Sequence, residues 1–188
     1  MMTAKKLNFG NIMGHVTNVT NLSSLASWTA DQFDPTLTWE DIAWIKDRWK
    51  GKLILKGIMD SEDAMLAVKA GADAIIISNH GGRQLDGAPS TISVLPEIVD
   101  EVNSKVEVHF DGGVRSGQDV LKALALGADC IHIGRPYVYG LGAKGQEGVE
   151  IAIEIIKKEL DLTMAMCGET DISNVGLHNL HRNPFKII

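Results

Sequence analysis

Two stretches of this chain align with each other without a gap. Residues 57–78, GIMDSEDAMLAVKAGADAIIIS, superpose on residues 113–134, GVRSGQDVLKALALGADCIHIG, at one constant offset. Gly57 falls on Gly113, Asp63 on Asp119, Ala67 on Ala123, Ile75 on Ile131 and Ile77 on Ile133. The step Gly71-Ala72-Asp73 falls on Gly127-Ala128-Asp129. A repeat this long holds whole strand–helix units, and a chain that repeats such units sets equivalent pieces around an axis. The GAD step has a local reason: glycine ends a helix in a left-handed conformation, and a short turn then enters the next strand.

The rest of the pattern extends that rhythm. Short apolar runs at 53–56, 74–78, 106–110 and 130–134 read as strands buried on both faces. Amphipathic segments at 61–70, 91–102, 118–126 and 147–160 read as the helices after them. Ser61, followed by Glu62 and Asp63, is the expected cap of the first. Alternation of this kind makes a parallel sheet of βα units, and the repeat favours a (β/α)8 barrel over an open doubly wound sheet. A complete barrel has eight strands and typically about 250 residues, whereas this chain has 188 residues and four readable strands. Residues 1–38, rich in Ser, Thr and Asn, are expected to be an irregular extension. Residues 39–49 are expected to be a helix capped by Thr38. The expected architecture is α/β: a partial TIM barrel of the C-terminal four βα units, residues 39–188, with that loop and helix before it.

Composition narrows the function. A net charge of −6 with no basic stripe argues against nucleic acid. Two cysteines, Cys130 and Cys167, give no disulfide framework, and Cys130, in an apolar run, is expected to be a small core residue. The N-terminus has no signal-peptide pattern, and no apolar run approaches the ~20 residues of a spanning helix. The expected location is cytoplasmic.

Barrel enzymes place their chemistry at the C-terminal ends of the strands. Here those ends read Lys56-Gly57, Ser78-Asn79-His80, Asp111-Gly112-Gly113 and Gly134-Arg135. DGGVRSG (111–117) reads as a phosphate loop. Gly112 and Gly113 let the backbone approach an anion, the following helix N-terminus adds donors, and Arg115 adds a charged fork. Gly134 and Arg135 would complete that site from the next strand. Lys56 would be either a snorkelling side chain or a fixed positive charge. His80 and Arg83 lie in one glycine-rich loop, where histidine can take a proton and arginine can clamp a carboxylate. Asp86 is expected to cap that loop. His109 and His132 are expected to pack in the interior, and His178 and His181 to be solvated. No Cys/His spacing suggests zinc, so no metal is expected.

Together, LILKGI, IIISNHGGRQLDG, HFDGGVRSGQDVLKALALGAD and IHIGRPYVYGLGAKGQEGV resemble the C-terminal half of the FMN-dependent α-hydroxy-acid dehydrogenases and oxidases. FDPTLTWEDIAWIKDRW is most similar to their bacterial, cytochrome-linked L-lactate dehydrogenase branch. The resemblance implies FMN as cofactor and oxidation of an L-2-hydroxy acid such as L-lactate to its 2-keto acid. It implies His80 as the base and Arg83 as the carboxylate clamp. Lys56 and Ser78 would contact the flavin, and Asp111, Gly112, Gly113, Val114, Arg115, Gly134 and Arg135 would hold the ribityl chain and phosphate. The electron acceptor would be a quinone, a cytochrome or oxygen. Peripheral attachment to the inner membrane is the alternative location the family offers. The family's N-terminal half, with the aspartate that orients the histidine, has no counterpart here. The chain is therefore expected to form a homo-oligomer or to meet a partner supplying the missing half-barrel. Two rival readings are a non-catalytic half-barrel that self-associates and another phosphate-binding flavin barrel, such as type 2 isopentenyl-diphosphate isomerase.

Overall fold

The computed structural model describes Ile12, Val16 and residues 22–181. It divides into two compact units, Met1–Thr38 and Trp39–Ile188. Within the first, Leu22–Asp31 forms helix α1, where the sequence suggested irregular structure. The serines and threonines that looked like loop residues are tolerated because hydroxyls can bond back into the helix. The Thr29 hydroxyl does so, donating to the Leu25 carbonyl at 2.8 Å. Residues 32–38 are turns and coil, and of residues 1–21 all but Ile12 and Val16 lie outside the described residues.

The second unit opens with helix α2 (Trp39–Arg48), which carries Glu40 and Asp41 in its first turn and Lys46 and Arg48 in its last. That charge order complements the helix dipole. There follow β1 (Ile54–Ile58), α3 (Ser61–Lys69), β2 (Ala74–Ile77), α4 (Thr91–Val102), β3 (Glu107–Phe110), α5 (Gly117–Ala125), β4 (Cys130–Ile131), α6 (Arg135–Lys144) and α7 (Gln146–Met166). The strands are parallel and lie in the order β1-β2-β3-β4. A doubly wound sheet reverses its strand order at a switch point. Among the described residues this sheet never reverses, which is the strand order of part of a (β/α)8 barrel.

The repeat is visible as repeated joints. Gly57 and Gly113 leave their strands at φ 101° and 82°, and Gly71 and Gly127 end their helices at φ 81° and 100°. Asp60 and Ser116, at equivalent repeat positions, cap α3 and α5. Asp60 therefore takes the role the sequence suggested for Ser61. Its carboxylate accepts from the Glu62 and Asp63 amides. Each GAD aspartate latches the strand before it. Asp73 accepts from the Leu53 amide at 2.9 Å, and Asp129 from the Val108 amide at 2.8 Å.

The core lies between the outer face of the sheet and the helices. Ile75, Ile77, Val108 and Phe110 point into it and meet Ala64, Ala67, Leu95, Ile98, Val102 and Ala123. The inner face follows another row, Lys56, Ile76, His109 and Cys130, in register across the four strands. Side chains alternate faces along a strand, so Cys130 belongs to this inner row. It is exposed rather than a core residue.

Two further features depart from the sequence reading. α7 runs on to Met166, and α6 is a helix of its own. RPYVYGLGAK lacks helical apolar periodicity and carries two glycines, so nothing in its pattern announces a helix. Tertiary packing supplies what propensity lacks: α6 crosses α7 so closely that a Cβ on Gly140 would stand 2.2 Å from the Gly148 carbonyl oxygen.

Candidate functional site

The C-terminal strand ends converge on one cavity of about 530 Å³. Lys56, His80, Arg83, Asp111, Gly112, Gly113, Val114, Arg115, Gly134 and Arg135 all line it. Ser78 does not line the cavity, but its hydroxyl receives the Lys56 ammonium at 2.5 Å.

Lys56 reaches this place through a local irregularity. The β1–β2 register shifts between Lys56 and Ile58, because Gly57 bulges out of the ladder. A bulge of this kind re-aims the neighbouring side chain. The ammonium is thereby ion-paired with Asp111 at the end of β3 as well as bonded to Ser78. The side chain is thus tied into the cavity wall rather than extended into solvent.

His80 begins a short 3-10 turn over His80–Gly82. It adopts a left-handed backbone at φ 57°, a conformation uncommon for non-glycine residues and enriched where geometry matters more than comfort. The turn is held from both sides. The Asn79 carboxamide oxygen accepts from the Gly82 amide, and the His80 amide donates to Ser78 Oγ, each at 3.2 Å. Arg135 Nη2 donates to the Gly81 carbonyl at 3.0 Å, tying the loop after β4 to the loop after β2. The Asp86 carboxylate accepts from the Gly87 amide, a local bond that leaves the histidine alone.

The phosphate-type cradle differs from the expectation in one respect. The N-terminal amides of α5 are taken by carboxylates: Asp119 accepts from Arg115 and Ser116, and Glu159 accepts from Gly117 at 2.9 Å. An anion at that terminus would meet two negative charges. The helix end that opens on the cavity is that of α6, which the sequence did not reveal. It starts at Arg135 after Gly134, has Pro136 in its first turn and has no side-chain cap. Free first-turn amides and a positive dipole end suit an anion. Open space surrounds the positions where Gly113 and Gly134 would carry a Cβ, so their backbone is approachable. With Arg115 and Arg135 beside them, these groups fit a phosphate monoester.

His132 also lines the cavity, on the barrel-interior side of the sheet. Burial, then the neighbouring His109, hold its pKa below the ordinary histidine value, with Asp111 opposing in part. His109 is buried, and its Nδ1 stands 3.0 Å from His132 Nε2. Cys130 joins them, with one ligand-type atom from each residue lying within 4.8 Å of the others. Linear spacing could not find this trio. The signal was alternate positions on two strands in register, which requires knowing the pairing. His178 is solvent-facing and contacts Glu169 at 2.9 Å, and His181 is exposed.

Residues 2–182 match the family model described as FMN-dependent dehydrogenase. The chain belongs to that family. Relatives agree with it. L-lactate dehydrogenase of Vibrio cholerae is 42% identical over 179 residues, covering 95% of this chain and 47% of the relative. 2-Hydroxyacid oxidase 1 of Mus musculus is 48% identical over 165 residues, covering 88% of this chain and 45% of its own. Among solved structures, mandelate oxidase with (S)-4-hydroxymandelic acid superposes with a TM-score of 0.78 at 45% identity. That superposition covers 82% of this chain and 43% of the oxidase. The chain thus spans about half the length of the curated relatives it matches. The family's cofactor is FMN, and its relatives act on 2-hydroxy acids.

Proposed function

We propose that the protein oxidises an L-2-hydroxy acid to the 2-keto acid with FMN as electron carrier, and that L-lactate is its substrate. The observation that carries the reading is convergence. A base, a carboxylate clamp, a fixed cation and a phosphate cradle come from four different strand ends and line a single cavity. Lactate is the acid in the name of the Vibrio cholerae relative at 42% identity, while 2-hydroxyacid oxidase 1 at 48% and mandelate oxidase at 45% make glycolate and mandelate the competing substrates in the test.

Each residue has a task. Arg135, Arg115 and the α6 amides hold the phosphate, with Gly112, Gly113, Val114 and Gly134 letting the backbone close on the ribityl chain. Arg83 binds the substrate carboxylate through its fork. His80, fixed by Ser78 and Asn79, takes a proton from the substrate. Lys56 would supply a fixed ammonium where negative charge develops, and Asp111 holds the lysine in place. The chemistry FMN supplies when bound is acceptance of the electron pair that leaves the substrate. The electron acceptor that completes the turnover would be a quinone, a cytochrome or oxygen.

The inner face of the sheet bears on assembly. Ile54 is 44% exposed there, and the Glu107 side chain is 70% exposed. Further barrel strands, pairing with the edges of β1 and β4, would close over this face and enclose the substrate.

The test is anaerobic mixing of FMN-loaded protein with L-lactate while the visible flavin band is recorded. Bleaching with lactate supports the reading, and bleaching lost by about 10²–10⁴-fold in rate in His80→Gln assigns the base. A flavin that stays oxidised with lactate, glycolate and (S)-mandelate alike overturns it.

A further inference from the structure

Beneath the cofactor cavity, the inner face of the sheet gathers chemistry that hydroxy-acid oxidation does not use. His109 and Cys130 are direct register partners on β3 and β4. His132 lies two residues beyond Cys130 and therefore on the same face. His109 Nδ1 and His132 Nε2 are 3.0 Å apart, and Cys130 Sγ lies within 4.8 Å of one ring nitrogen of each histidine. The imidazole centroids are 5.2 Å apart and the rings are tilted by 37° rather than stacked. Ligands around one zinc ion, at about 2.0–2.1 Å for nitrogen and about 2.3 Å for sulfur, stand at separations of this order.

A second observation points the same way. Glu107, on the same face of β3, has its carboxylate 3.3 Å from His109 Nε2. A carboxylate acceptor there keeps the proton on Nε2. The lone pair of Nδ1 is then left facing His132 Nε2, 3.0 Å away, with Cys130 beside the pair. Carboxylate–histidine–metal chains of this kind orient ligand imidazoles in known metal sites. The exposed thiol gives solvent and ions a route in.

We propose that His109 Nδ1, His132 Nε2 and Cys130 Sγ form a binding site for a single Zn²⁺, with Glu107 orienting His109. Two imidazoles and a thiolate select a borderline-soft divalent cation over magnesium or calcium. Three protein ligands leave the fourth tetrahedral position for water. Binding releases the Cys130 thiol proton to solvent and leaves both imidazoles neutral. The site needs neither FMN nor substrate, so its success or failure is independent of the proposed oxidation.

Cys167 is also exposed and far along the chain, which makes it an internal control. The experiment is iodoacetamide alkylation of the whole protein with and without added Zn²⁺. Each cysteine peptide is quantified by mass spectrometry, and bound zinc is measured after desalting. Zinc is expected to slow alkylation of Cys130 by tenfold or more and to leave Cys167 unchanged, with one ion retained per chain. His132→Ala and His109→Ala should abolish both effects. Glu107→Gln should weaken zinc binding by about 10–100-fold without touching a ligand. Circular dichroism confirms that each variant is folded. Equal Cys130 alkylation with and without zinc in the folded wild-type protein overturns the proposal. So does zinc protection that survives loss of both histidines.

Discussion

Lys56 on β1 and Asp111 at the end of β3 form an ion pair that reaches across β2, whose Ser78 also receives the ammonium. Three strand ends are thus joined by one side chain. Lys56→Met is expected to slow flavin reduction by about 10²-fold, the usual effect of removing one donor aimed at developing charge. It also leaves the half-buried Asp111 carboxylate without its cation, at a cost of up to about 1 kcal/mol in stability because solvent screens the pair. Stopped-flow reduction and urea unfolding measure the two effects separately. An unchanged reduction rate removes Lys56 from the chemistry.

Arg115 tests the cradle. Arg115→Ala is expected to weaken FMN binding by roughly ten- to a hundredfold, since a charge-assisted hydrogen bond contributes about 1.5–3 kcal/mol. Riboflavin, which lacks the phosphate, should bind the variant and the wild-type protein equally. Quenching of flavin fluorescence gives both affinities. An equal loss for the two ligands would place the arginine elsewhere on the cofactor.

Asp73 predicts a pH dependence. Its carboxyl is held well below the ordinary carboxylate range, first by the Lys46 ammonium, then by the Leu53 amide and by Lys52. The folded state therefore binds this proton less readily than the unfolded state. Its stabilisation is complete above the ordinary value of 3.8 and disappears as pH falls through the depressed folded value. Asp73→Asn should melt below the wild-type protein at neutral pH, with the gap closing in strong acid. A gap independent of pH contradicts the linkage.

Two glycines of α6 should respond oppositely to alanine. At Gly140 the new methyl meets the Gly148 carbonyl, so Gly140→Ala is expected to cost about 1–3 kcal/mol through overpacking. Nothing lies within 4 Å of a Cβ at Gly142, so Gly142→Ala should stabilise by up to about 1 kcal/mol through better helix propensity. Thermal melts of the two variants read the contrast directly.

The legible parts of this molecule were those written in local chemistry. The parallel strands, the GAD joints and the cavity-lining strand ends all follow from apolar runs, glycines and charged residues at turn positions. α6 was not legible, because its helix exists through contact with α7 rather than through its own residues. The carboxylates that occupy the α5 terminus were hidden for a similar reason: Glu159 comes from α7, beyond any sequence window around Gly117. Cys130 looked like core because its neighbours are apolar, while its face of the strand is fixed only by pairing with His109.

The aspartate latches carry a consequence for how the sheet assembles. The amide that opens β1 is satisfied by Asp73, and the Val108 amide of β3 by Asp129, each across a separation of only 20 or 21 residues. Every such closure is short-range, and short-range closures form fast because little chain entropy is lost before the bond is made. The sheet can thus grow like a zipper, one strand–helix tooth at a time, each new tooth locking the strand laid down before it.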